Sequence, residues 1–183
     1  MAVIEAIATT YLEADAASVE FTSIPATYEH LQLRMSVMGD RTASDNWYFY
    51  LRLNGDTGTN YSGHRMYGAA SSTSGGASTG QDATWTPNLP TLGGNLGLST
   101  GGNAAAYGGN VIDLLDYANT NKNTTFLWLS GVGTGTSSAG LFSGLWDSTA
   151  AVNAIWLAPD NIGTDDSIWQ RGSEFTLYGL NSS

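Results

Sequence analysis

No cysteine occurs among the 183 residues, which removes disulfides, thiolate metal sites and cysteine nucleophiles from consideration. Positive charge is nearly as scarce: 6 Lys and Arg stand against 16 Asp and Glu, a formal net charge of −10. The basic residues are spread from Arg34 to Arg171, so neither a phosphate-backbone patch nor attraction to an anionic membrane surface is expected. No apolar run approaches the ~18 residues of a membrane-spanning helix. The first ten residues hold no basic side chain and include Glu5, which is not the start of a secretory signal. The expectation is a protein made in a cytoplasm and used there or released by lysis.

What is present is turn chemistry and aromatic bulk. Gly (23 residues), Ser, Thr and Asn are abundant, and 6 Trp, 9 Tyr and 5 Phe supply enough large apolar surface for a core without staples. The length suits one domain. Alternation with period two dominates. Leu31, Leu33, Met35 and Val37 point one way, and His30, Gln32, Arg34 and Ser36 the other; residues 47–54 repeat the pattern. Further strands are expected over 19–24, 111–117, 125–129, 140–146, 152–157 and 173–180. Ile4 to Leu12 reads as a first strand or, for its alanines, a short helix. That makes about nine strands. Pro25 ends one of them, and Asn54-Gly55-Asp56-Thr57-Gly58 reads as a tight hairpin turn held by Asx hydrogen bonds. Together these predict an all-β, single-domain antiparallel β-sandwich, jelly-roll-like, spanning 1–183 with an N-terminal strand or arm over 1–17. Residues 68–109, rich in Gly and Ser, read as a long variable loop in which Trp85, Leu89, Leu92, Leu96 and Leu98 are apolar anchors.

Chemistry-bearing constellations are few. His30 and His64 fall on outward faces of strands with no serine singled out as a nucleophile, and the glycine spacing in 140–144 is wrong for a nucleophile elbow. Oxygen ligands alternate through 54–60, but the bidentate glutamate and residue order of a calcium loop are missing. No catalytic residue, no cofactor and no metal is therefore expected. If 111–117 is a strand throughout, Asp113 and Asp116 fall on opposite faces and one needs a partner such as Arg34 or Arg52. If the strand ends early, both are solvated. Tyr48 and Tyr50 lie opposite the apolar face of their strand, and Tyr61 and Tyr67 share a face on the next. With Trp85 these are the interface candidates, with sugar stacking or a covered second face as the other readings.

Five blocks resemble a group of small virion proteins of tailed phages. Residues 18–28 (SVEFTSIPATY) lead into 30–36 (HLQLRMS) as the group's V-x-F-x-x-I-P-x-x-Y leads into an L-x-L strand. Residues 52–62 (RLNGDTGTNYS) are similar to R-F-N-G-D-T-G-x-N-Y-S, with Leu53 in place of Phe. Residues 112–122 (IDLLDYANTNK), 146–152 (WDSTAAV) and 172–179 (GSEFTLYG) resemble the later blocks, and 68–109 and 133–139 are the variable parts.

The resemblance implies a structural protein of a phage particle, without catalysis, located in the virion and assembled in the host cytoplasm. The absence of heptads, collagen-like repeats and β-helix repeats suits a knob on a preformed lattice better than a whole tail fibre. The favoured expectation is a capsid decoration (cement) protein, a homotrimer bound to the major capsid protein. The alternative is a tail-associated or receptor-binding domain that contacts other tail proteins and host surface glycans.

Overall fold

The computed structural model describes residues 4–39, 49–69, 72–81, 107–132, 138–159 and 168–182. Every strand pairing in them is antiparallel. The strands are β1 (Ile4–Tyr11), β2 (Val19–Phe21), β3 (His30–Val37), β4 (Phe49–Leu53), β5 (Tyr61–Ala69), β6 (Ser72–Gln81), β7 (Gly108–Leu115), β8 (Thr124–Val132), β9 (Ser138–Trp146), β10 (Ile155–Pro159) and β11 (Glu174–Leu180). Eight form one sheet in the order β1-β11-β3-β7-β8-β9-β5-β6, and three form another in the order β2-β10-β4. The chain is a lopsided two-sheet β-sandwich, with the small sheet set over the middle of the large one.

Alternation builds the core as expected. Leu177, Leu33, Ile112, Trp128 and Phe142 are Cα partners in sequence across β11, β3, β7, β8 and β9, so one buried row crosses five strands. From the small sheet, Phe49 lies over Trp128 with ring centroids 4.5 Å apart. Trp169 fills the gap between Phe49 (5.5 Å) and Phe175 (5.2 Å). Its backbone exchanges hydrogen bonds with Ala16, closing the sandwich on that side. Each such ring, fully desolvated, contributes roughly 1.5–3 kcal/mol.

Residues 4–11 form a strand, the first of the two expected readings, at the sheet edge beside β11. Two expectations change. Part of the long loop expected over 68–109 is regular structure: Ser72–Gln81 pairs with β5, and Gly108 and Gly109 open β7. The turn at 54–58 is not a hairpin, because β4 belongs to the small sheet and β5 to the large one. It is a corner where the chain changes sheets.

Candidate functional site

The corner is built by residues the sequence singled out. Asn54 and Gly55 both have positive φ (54° and 66°), and Asp56 N–H returns to Leu53 O at 3.0 Å, a reversal that Asn-Gly accommodates at little cost. The Asn54 side chain then binds the 151–154 segment. Its Oδ1 accepts from Asn153 N (2.8 Å) and Ala154 N (3.1 Å), and its Nδ2 donates to Ala151 O (2.9 Å). Asp56 Oδ1 accepts from Gly58 N (2.8 Å), and Oδ2 accepts from Asn60 Nδ2 (2.9 Å) and Trp146 Nε1 (2.6 Å). Burial pushes this carboxyl up, but the three donors outweigh it and hold the group below its ordinary value. The oxygens that sequence spacing offered to a cation serve protein N–H groups, and Asp56 acts as the keystone of an Asx turn.

A second knot ties the other blocks at the same end of the sandwich. The Tyr117 hydroxyl donates to Pro25 O and accepts from Tyr28 N at 3.4 Å. The Tyr28 ring packs against Gly179 so closely that a Cβ there would enter the ring. The strand expected over 111–117 ends at Leu115, and Asp116 adopts φ 51°. Both aspartates are therefore on the solvent side. Asp113 Oδ1 accepts from Gln32 Nε2 (2.7 Å), and Gln32 Oε1 accepts from Arg34 Nε (2.7 Å). Asp116 pairs with Lys122, the chief cause of its lowered carboxyl pKa.

His30 Nδ1 accepts from Asp116 N at 3.0 Å, which places its proton on Nε2 and makes it a turn-holder. His64 is exposed on the outer side of β5. His30 Nδ1 also lies 3.5 Å from Asp116 Oδ1, and among the described residues no serine or threonine hydroxyl is bonded to it. Among the described residues no cluster of three His, Asp or Glu is placed to hold a metal ion.

The tyrosine expectation needs correction. Tyr50 and Tyr61 are 3% and 1% exposed, so neither offers a surface for a partner or a sugar. Both faces of β4 are covered, and Tyr50 sits across from buried Ala158 of β10. Tyr61 points into the corner, its hydroxyl accepting from Leu53 N (3.1 Å) and lying 3.3 Å from Asp56 O. Burial pushes its phenol up to about 12. Tyr48 and Trp85 lie outside the described residues, as does the side chain of Tyr67, whose backbone is in β5. Arg52, half-buried in the small sheet, carries its guanidinium 4.3 Å above the Trp156 ring.

The exposed apolar surface is elsewhere, on the outer face of the large sheet. Leu129 (59% exposed), Leu141 (50%) and Met66 (62%) are register partners on β8, β9 and β5, with Leu127 (46%) beside them. Val111 of β7 continues the row. Toward β3 and β11 the same face turns polar, with Arg34 over the Tyr178 ring at 5.0 Å and Glu174 exposed. The signal for the apolar half was in the sequence. Residues 126–129 read Phe-Leu-Trp-Leu, apolar at both parities, and a strand that is apolar on both faces must cover two surfaces.

Among the described residues the arrangement is a two-sheet sandwich whose outer face is half apolar and half polar. Comparison with protein-family models, with curated proteins and with solved structures gives no match to this chain.

Proposed function

We propose that this chain is a structural protein of a phage particle, a capsid decoration (cement) protein that binds the head lattice and stabilises it without catalysis. The observation that carries the reading is where the five resembling blocks fall. Asn54 and Asp56 bind residues 146–154, Tyr117 binds Pro25, and Tyr28 covers Gly179, so the blocks hold one another. Residues whose pattern serves a sandwich corner fit a protein whose work is to be a shape. An acidic balance of −10 supports docking onto a basic lattice surface.

The test is co-sedimentation of the purified chain with isolated heads and isolated tails of the particle that encodes it. Saturable binding to heads, with a raised temperature of head disruption, is the expected result. Binding to tails alone would replace the reading with tail association.

A further inference from the structure

The outer face of the large sheet has a relief that matches itself. Val111, Leu129, Leu141 and Met66 are register partners across β7, β8, β9 and β5, and they form a ridge. Two residues along each strand, Gly109, Gly131, Ala139 and Gly68 are partners in the next outward row, and they form a trough of the same length. Gly68 and Ala139 of the trough and Met66, Leu141 and Leu129 of the ridge bound an open groove of about 700 Å³, to which Thr73 and Gly75 of β6 also contribute. A ridge beside an equal trough is self-complementary under a two-fold axis that lies in the interface plane, parallel to the two rows and midway between them, since each ridge then enters the other copy's trough.

We propose that this face is the interface for a second copy of the same chain, packed sheet on sheet about 10 Å apart. Charge supports a second copy as the occupant. The eight positions of ridge and trough hold no ionisable residue, in a chain whose net charge is −10. Two such acidic copies can approach closely only on a surface free of charge. Area sets the strength. Five strands by the two rows cover roughly 24 by 14 Å from standard strand spacing and rise, below the size of stable specific interfaces. The association is therefore weak, concentration-dependent and two-fold, unlike the trimer expected from the resemblance. The inference does not depend on the particle reading, since self-association and head binding are measured separately.

The test is light scattering of the full chain from micromolar to millimolar concentration, alone and as Leu129→Asp/Leu141→Asp. Both positions are at least half exposed, so the charges do not enter the core. The expected wild-type mass climbs from 19.2 kDa toward twice that value. The double variant is expected to stay monomeric with unchanged circular dichroism, association weakened by at least about 100-fold. Met66→Lys, at the end of the ridge, is expected to weaken association by a smaller factor and guards against misfolding of the double variant. A wild-type chain that stays monomeric throughout, as it would if residues 82–106 of its own chain occupied the face, overturns the proposal. So does a trimeric mass, or self-association that survives both sets of substitutions.

Discussion

The indole N–H of Trp146 donates to Asp56 Oδ2 at 2.6 Å, tying the end of β9 to the corner where the chain passes from the small sheet to the large one. Asn60 and Gly58 share the same carboxylate. Removing it leaves the indole N–H of buried Trp146 and the Asx turn without their acceptor. Asp56→Ala is expected to cost about 2–4 kcal/mol of unfolding free energy, measured by denaturant titration. An unchanged midpoint would show that the corner stands without its keystone.

The same carboxylate gives an acid limb to stability. Its folded-state pKa lies below the ordinary value of 3.8, because the donors from Asn60, Trp146 and Gly58 outweigh burial. A depressed carboxyl contributes stability that is fully present above its unfolded pKa and lost as pH falls through the folded one. Thermal midpoints are expected to fall as pH drops below about 4, and less steeply in Asp56→Asn than in the wild type. Parallel slopes would contradict the assignment.

Tyr61 gives the opposite limb. Burial raises its phenol from 10.0 to about 12, so its contribution is whole below pH 10 and lost as pH rises toward the folded value. Phenolate absorbance is expected to show late-ionising tyrosines, since burial raises Tyr117 and Tyr28 as well, and Tyr61→Phe removes the one near 12. That variant also deprives Leu53 N–H of its acceptor, at a cost of about 1–2 kcal/mol. A full complement of tyrosines titrating near pH 10 in the folded protein would contradict the burial.

Two glycines separate a rigid neighbour from a movable one. A Cβ at Gly144 would overlap the ring of Phe126, itself 1% exposed, whereas a Cβ at Gly179 would meet the ring of the half-buried Tyr28. Gly144→Ala is expected to cost about 1–3 kcal/mol and Gly179→Ala less, because Tyr28 can shift toward solvent. Phe126→Leu in the Gly144→Ala background recovers part of the loss. Equal costs at the two positions would count against this difference in packing.

Legibility in the sequence followed the physics of one-sided strands. β3 carries its apolar set strictly on one parity, and its buried face matches the pattern residue for residue. β6 escaped because Ser72–Gln81 contains no large apolar residue. It is held by backbone pairing to β5, and that pairing leaves no trace in hydrophobic periodicity. Tyr50 and Tyr61 were misread for a related reason. Alternation shows which face is apolar but not whether the other face is also covered, and in β4 it is. The corner was legible as a turn from Asn54-Gly55, while its change of sheet depended on Asn54 and Asp56 reaching residues roughly 90–100 positions away.

The most direct measurement of the central claim is the copy number of this chain in purified particles, relative to the major capsid protein, by quantitative mass spectrometry. Decoration of the lattice requires a ratio of about one, or about one third if a single chain sits at each three-fold position. A ratio of a few per cent would place the chain on the tail and contradict the head-stabilising function.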